Sequence, residues 1–249
     1  MPTYQYLYGF TRAREWPPLV GVGGEGITAV TRGGLSALTS RFGKSKVRPS
    51  RRHLLAHDRI LRELLPSGIL PVAFGTLASS GDSLEQLLDQ NREDIEGNLD
   101  RLEGRVETAA RARIQADNLF ERFVAGSVKL RSARDRMVES GNADRDTMIA
   151  VGKLFSEVLG AERERVRSLF VAGVEGTAED IRETPPKREA QIFDLAFLLP
   201  SDGVNAWESA VEAVASELDD DLVIDLAGPL PPYSFSTLAL SPLEGRGGL

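Results

Sequence analysis

The chain contains no cysteine, and histidine occurs only twice in 249 residues. Without thiols there are no disulfides, iron–sulfur clusters, thiolate zinc sites or cysteine nucleophiles, and such a composition fits a reducing, cytoplasmic setting. No apolar run approaches the ~20 residues a bilayer-spanning helix requires, so membrane insertion is not expected. Met1 to Phe10 shows neither a basic n-region nor an apolar h-region, so no secretory signal is expected either. Excess positive charge is also missing. Thirty Lys and Arg against 37 Asp and Glu leave a net charge of −7, and the pI is near 5.1. This balance argues against nucleic acid as a partner, yet it is too mild for a protein built for saturated salt. What the chain does have is 41% apolar residues, enough to bury a sizeable core in one large or two small domains.

Tyr4 to Phe10 alternates and is aromatic, which predicts a strand. Ile27–Arg32 and Leu35–Phe42 flank Gly33-Gly34 and predict a hairpin. Ser50 is placed to cap a helix running to about Leu65, with Leu54, Leu61, Leu64 and Leu65 on its apolar face and Pro66 and Gly68 ending it. Ile69 to Leu77 then reads as one buried strand. The result is a small β-β-β-α-β domain over residues 1–80. One long amphipathic helix is expected over 81–103, linking it to a second domain over 104–236.

In that second part, Arg105 to Gln115 alternates, with Val106, Ala110, Ala112 and Ile114 on one face and Glu107, Arg111, Arg113 and Gln115 on the other. Asp117 to Phe170 predicts helices broken near Gly126 and Gly141-Asn142, with a stripe of Val151, Leu154, Phe155, Val158, Val166 and Leu169 in the last piece. Ala178–Thr184 is a weak strand, and Ile192–Leu199 a central strand buried on both faces. Trp207–Leu218 is a helix and Leu222–Ala227 an edge strand. The order is β-α-β-β-α-β, a ferredoxin-like split βαβ with an enlarged first helical region. The fold class is therefore α+β with two domains, and residues 237–249 read as a flexible tail.

The motifs that could carry chemistry are sparse. Gly21-Val22-Gly23-Gly24-Glu25-Gly26 matches a dinucleotide-binding spacing, but prolines precede it and a β-branched run follows. The fingerprint needs a strand before it and a helix after it, so the segment reads as a turn into a strand. His57 lies on the apolar helix face with no third metal ligand beside His53, and it reads as a hydrogen-bonded core residue. Arg41, Lys44, Lys46, Arg48, Arg51 and Arg52 form a basic run without an acid. It is either a solvated loop and helix start or a docking element for an acidic partner. Asp219-Asp220-Asp221 reads as a solvated turn. Gly228-Pro229-Leu230-Pro231-Pro232-Tyr233-Ser234-Phe235 cannot donate a continuous hydrogen-bond ladder. The strand is expected to stop there and continue extended, its rings either packed back on the domain or offered to a partner.

Six segments, in order, resemble the gas vesicle accessory protein family GvpL/GvpF. They are Tyr6-Leu7-Tyr8-Gly9, Leu54-Leu55-Ala56-His57, Leu70-Pro71-Val72-Ala73-Phe74-Gly75-Thr76, Leu102-Glu103-Gly104-Arg105-Val106-Glu107, Leu195-Ala196-Phe197-Leu198 and the proline-rich segment. Two positions depart from the family pattern: Ala73, where a basic residue is frequent, and Leu230, where tryptophan is frequent. The resemblance implies a two-domain, non-enzymatic protein that takes part in assembling gas vesicles, either in the cytoplasm or associated with the vesicle. It implies no cofactor. The implied partners are the small hydrophobic shell protein and other accessory proteins. Tyr8, Gly9, His57, Pro71, Phe74, Gly75, Gly104, Pro229 and Pro232 are the implied structural signature. Glu107, Arg111, Arg113, Leu230, Tyr233 and Phe235 are the candidate interaction residues. The charged face of the first C-terminal strand is read either as a docking face or as a domain interface. A ligand-sensing ferredoxin-like module and a hydrolase or transferase using carboxylates and His57 are rival readings. Both need polar clusters that the sequence does not display.

Overall fold

The structure, a computed structural model, describes residues 3–139 and 145–238. The expected break at Gly141-Asn142 and nearly all of the expected tail lie outside the described residues. Compactness divides the chain into two units. Among the described residues, one holds those up to Glu107, together with Leu198–Ser201 and those from Gly228 onward; the other holds those of Thr108–Phe197 and Asp202–Ala227. The division thus falls at Glu107, and the proline-rich segment belongs with the first unit.

The first unit is built on a sheet of order β2-β3-β1-β4, with β5 also paired to β1. Strands β1 (Tyr4–Arg12), β2 (Ile27–Arg32) and β3 (Leu35–Phe42) form as the alternation predicts. Gly33 and Gly34, at φ 54° and 85°, make the turn of the β2–β3 hairpin. Tyr6 to Thr11 of β1 are all buried. A strand buried at every position must be covered on both faces. Helix α1 (Arg51–Leu64), capped by Ser50 on the amide of His53, supplies one cover. Helices α2 (Gly81–Gln90), on β2, β3 and β5, and α3 (Arg92–Leu102), on β1 and β4, pack on the same sheet and supply the other.

Three expectations are corrected here. The single helix over 81–103 is two helices that meet at Asn91, whose side chain donates to the Leu87 carbonyl. The strand expected over Ile69–Leu77 is two short ones, β4 (Leu70–Pro71) and β5 (Leu77–Ala78), both on β1. The reason is local: Pro71 has no amide to donate, and Gly75 at φ 85° turns the chain away. Leu54 is 46% exposed and not part of the apolar face; His57, Ile60, Leu61 and Leu64 form it instead.

The second unit is organised on a sheet of order β7-β8-β6-β9, whose strands are β6 (Arg105–Ile114), β7 (Asp180–Glu183), β8 (Gln191–Pro200) and β9 (Leu222–Leu230). Numbered by appearance, this is 2-3-1-4, the order a split βαβ requires. Helices α4 (Leu119–Gly126), α5 (Val128–Glu139) and α6 (Arg145–Val174) lie between β6 and β7 in sequence, and α7 (Val204–Ala215) between β8 and β9. Phe170 of α6 meets Phe193 at 4.7 Å and Phe197 at 6.2 Å, and Phe197 meets Trp207 of α7 at 5.4 Å. Helices α6 and α7 approach closely at Gly173, where an added Cβ would stand 2.0 Å from Val214. The buried stripe of α6 is Val151, Phe155, Leu159, Val166, Phe170 and Val174, so Leu154, Val158 and Leu169 flank the core rather than fill it. Strand β9 runs on through Gly228-Pro229 to Leu230, beyond the expected stop. A proline is tolerated there because β9 has β6 as its sheet neighbour on one side only.

Candidate functional site

The segment that follows β9 is held within the first unit by side chains from α1, α3 and the first residues of β6. Pro231 and Pro232 are buried, and the chain then turns, with the amides of Phe235 and Ser236 donating to the Pro232 carbonyl. It is not extended to its end, as the prolines alone suggested. Phe235 is fully buried. Its carbonyl accepts from Arg101, and the Asn98 side-chain oxygen accepts from the amide and the hydroxyl of Thr237, both at 3.1 Å. Glu107 accepts from the Ser234 amide at 2.7 Å and the Ser234 hydroxyl at 2.8 Å. Arg62 donates to the Pro229 carbonyl.

His57 lies at the centre of this arrangement, only 4% exposed. Its Nδ1 is 2.9 Å from the Tyr6 hydroxyl, and its Nε2 is 2.7 Å from the Tyr233 hydroxyl. The Gly75 amide donates to Tyr6 Oη at 3.1 Å. That leaves the Tyr6 phenol proton to find an acceptor, and His57 Nδ1 is the one in reach. Nε2 therefore carries the ring proton and donates it to Tyr233. Tyr8 stands beside this chain, its ring 4.8 Å from that of Tyr6 and stacked on His57 at 5.8 Å. Its hydroxyl accepts from the Val22 amide and is 2.8 Å from Ser40 Oγ.

Burial sets the protonation of these groups. Desolvation lowers the His57 pKa to about 4, against a weaker upward pull from Asp58. Burial also raises the Tyr6, Tyr8 and Tyr233 phenols, so all three stay neutral. Tyr233 exposes 39% of its surface, but its hydroxyl points inward to His57. Glu107 is pushed up by burial and held partly down by its two bonds from Ser234. Tyr6, His57 and Tyr233 thus form a neutral, directional chain that pins the C-terminal segment.

The candidate residues separate into two groups. Glu107, expected on the exposed face of its strand, is 7% exposed and faces Ser234, because β6 is buried at both Val106 and Glu107. Phe235 is core, and Leu230 is half-buried. Arg111 and Arg113 remain at the surface. Arg111 donates to Asp194 of β8 at 2.8 and 3.0 Å, and Arg113 lies 3.5 Å from Asp225 of β9. The charged face of β6 is therefore a row of cross-strand ion pairs. Among the signature residues, Tyr8 and His57 are in the network, and Gly75 donates to it. Gly9 faces the Leu70 carbonyl, where a Cβ would stand at 2.4 Å. Pro71 is buried, and Phe74 packs edge-on to His57 at 5.6 Å. Gly104, at φ 71°, ends α3, and its carbonyl accepts from the Ser201 amide at 2.9 Å. Ala73 is exposed.

Sequence reasoning missed Tyr6, Asn98, Arg101 and Ser234 as partners. A histidine on a buried face needs polar partners, and two tyrosines spaced by two on a central strand were the available signal. The aspartate segment is a turn with Asp219 and Asp220 exposed, as expected, and it has ion-pair partners that sequence reasoning did not name. Asp221 pairs with Arg122 at 2.7 Å, and Asp219 with Arg122 and Arg165 at 3.5 and 3.3 Å. Glu162 completes this network, held by Arg165 at 2.9 Å and Arg122 at 3.6 Å. The glycine-rich segment is a turn closed by the Val20–Gly26 bridge, as its context predicted.

Neither of two hollows in the surface has the character of a ligand site. The one lined by Arg12, Arg14, Ile69, Leu99, Leu102 and Glu103 encloses about 150 Å³, below the ~300 Å³ at which small-molecule sites begin. The groove between α4 and α6, about 750 Å³, is open and lined by the mutually paired Arg122, Glu162, Arg165 and Asp219. Among the described residues, no group of three or more His, Cys, Asp or Glu is placed to hold a metal, and no helix is long and apolar enough to cross a membrane.

A family model described as gas vesicle synthesis protein GvpL/GvpF matches residues 5–237. A gas vesicle protein F of Streptomyces sp. strain CB03234 is 26% identical over 92% of this chain and 98% of its own length. One from Microcystis aeruginosa strain PCC 7806 is 27% identical over 94% and 98%. The crystal structure of GvpF from Microcystis aeruginosa superposes with a TM-score of 0.83 at 23% identity, covering 96% of this chain and all of that one. That of GvpF from Anabaena sp. PCC7120 gives 0.84, covering 95% and 99%.

Proposed function

Because the chain belongs to the gas vesicle synthesis protein GvpL/GvpF family, we propose that it is a gas vesicle accessory protein that works by binding and not by catalysis. The observation that carries this is the family match over residues 5–237. The proposed partners are the small hydrophobic shell protein and other accessory proteins, met in the cytoplasm or at the vesicle. A strongly apolar shell subunit must be kept from misassembly before it is incorporated. A protein with exposed strand edges and charged sheet faces can cover such a subunit reversibly.

The physical support is a division of labour among the residues that carry the resemblance. Tyr8, His57, Phe74, Gly75 and Pro232 are occupied in holding the first unit together. A titratable core histidine whose two nitrogens are both committed to phenols is poorly placed to serve as a general base. Arg111 and Arg113 stay at the surface, with side chains 57% and 43% exposed, and we assign the docking face to them. The test is capture of the purified shell protein by the full chain. Arg111→Glu with Arg113→Glu should abolish capture while the melting temperature stays within a few degrees. Undiminished capture by that variant contradicts the assigned face, and no capture by the wild-type chain contradicts the shell protein as partner.

A further inference from the structure

The basic run before and within α1 acquires a context from the helix geometry. His57, Ile60, Leu61 and Leu64 face the core. At 100° per residue, the opposite face carries Arg51, Arg52, Leu55, Arg59 and Arg62. Leu55 is 58% exposed, with arginines four and three residues before it and four and seven after it. Leu54, 46% exposed, adjoins it.

The arginines at the far end of this face have local partners: Arg59 lies 3.9 Å from Glu63 and Arg62 2.8 Å from Asp58. Arg51 and Arg52 pair with no carboxylate among the described residues. Nor do Arg41, Lys44, Lys46 and Arg48, all exposed, which lead into the helix. Elsewhere Arg12, Arg32, Arg92, Arg122, Arg134 and Arg165 each meet at least one carboxylate. Cations without a carboxylate partner among the described residues also occur elsewhere, as at Lys129, Lys153 and Lys187, so what sets this run apart is its density: six cations in twelve residues with no Asp or Glu among them, in a chain of net charge −7. Helix stability does not account for them. The first turn of α1 contains no acidic residue, and cations at a helix N-terminus oppose the helix dipole.

We propose that the outward face of α1, with the basic run leading into it, docks an acidic segment of a protein partner that carries apolar side chains among its carboxylates. Charge complementarity selects the carboxylates, and Leu54 and Leu55 select the apolar side chains between them. The net acidity of the chain opposes nucleic acid, and the patch offers no exposed Phe, Tyr or Trp on which a base could stack. Two leucines are too small an apolar surface to anchor in a lipid interface. This face is separate from the Arg111 and Arg113 row, and the proposal stands whether or not that row binds the shell protein.

The test uses the full chain and a labelled synthetic amphipathic helix with glutamates along one side and leucines along the other. The controls are the same peptide with glutamine for glutamate, phosphatidylserine vesicles and duplex DNA. The acidic peptide should bind, more weakly as salt is added, and about tenfold better than its glutamine form. Arg51→Glu with Arg52→Glu should weaken binding about tenfold while the melting temperature holds or rises, because acids suit a helix N-terminus. Arg51→Gln with Arg52→Gln should fall between. Leu55→Ser should lower affinity several-fold and leave the salt dependence unchanged. Equal binding of the glutamine peptide, or full affinity in the charge-reversed variant, overturns the proposal. So does tighter binding to vesicles or DNA, which would assign the patch to lipid or nucleic acid.

Discussion

The region around His57 and the region of Arg122 and Arg111 use polar side chains in opposite ways. In the first they are desolvated and hydrogen-bonded: Tyr6, His57 and Tyr233 in a neutral chain, Tyr8 with Ser40 beside it, and Glu107 bound twice by Ser234. In the second, they are ionic and partly wet: Arg122 and Arg165 against Glu162, Asp219 and Asp221, and Arg111 against Asp194. A buried neutral hydrogen bond is directional and insensitive to salt, and breaking it leaves an orphaned group. A half-exposed ion pair is tolerant of geometry and screened by salt. The first design suits a segment that must be held in one place, the second a surface that keeps charge available to water or a partner.

The sharpest way to break this contrast is at Phe235. Phe235→Ala removes a fully buried ring and should cost about 3–5 kcal/mol, measured as a shift in the urea unfolding midpoint. If Phe235 instead waits for a partner, the cost should be within experimental error. Next in size, Glu107→Ala deletes an acceptor of two bonds and leaves the Ser234 amide unpaired. It should cost about 1.5–3 kcal/mol, whereas an exposed strand glutamate would cost almost nothing.

His57→Ala should cost about 1–3 kcal/mol at neutral pH, and its pH dependence carries a sign. Burial lowers the folded-state pKa to about 4, against about 6.5 in the unfolded chain. Above 6.5 the His57 contribution is fully present. As pH falls from 6.5 to about 4, the unfolded chain binds a proton that the folded chain refuses. Stability then drops by up to about 3 kcal/mol, with no further loss from this group below that. Glu107, raised by burial, acts in the opposite sense, losing stability as pH rises through its folded pKa. Subtracting the curve of a His57→Gln variant from that of the wild type isolates the histidine. The smallest expected effect is in the second unit, where Arg122→Ala should cost about 1 kcal/mol in low salt and less in high salt. No such salt dependence should accompany the loss at His57.

Much of the architecture was legible because it rests on short-range rules. Strand alternation in Tyr4–Arg12, the glycine pair of the hairpin, the Ser50 cap and the buried run in β8 each report locally, and their order gave the split βαβ. The failures share a cause. The break at Asn91, the division of Ile69–Leu77 and the continuation of β9 through Pro229 depend on which neighbour takes a backbone group, and sequence does not reveal the neighbour. For the same reason His57 could be read as a hydrogen-bonded core residue while its partners, 51 and 176 residues away, could not be named. Glu107 was misplaced because period-two alternation assigns a face without saying what covers it. In the proline-rich segment, composition restricts the backbone but not where the rings go, so sequence alone does not choose between packing and docking.

That open choice is also where the functional account is most exposed. Hydrogen–deuterium exchange of the full chain, alone and with the shell protein bound, compares the two regions in one experiment. The account predicts that the amides of residues 233–237 are already protected in the free chain and unchanged by the partner, while new protection falls on β6 around Arg111 and Arg113. New protection confined to 233–237, with β6 unaffected, would contradict it and make the C-terminal segment the docking element.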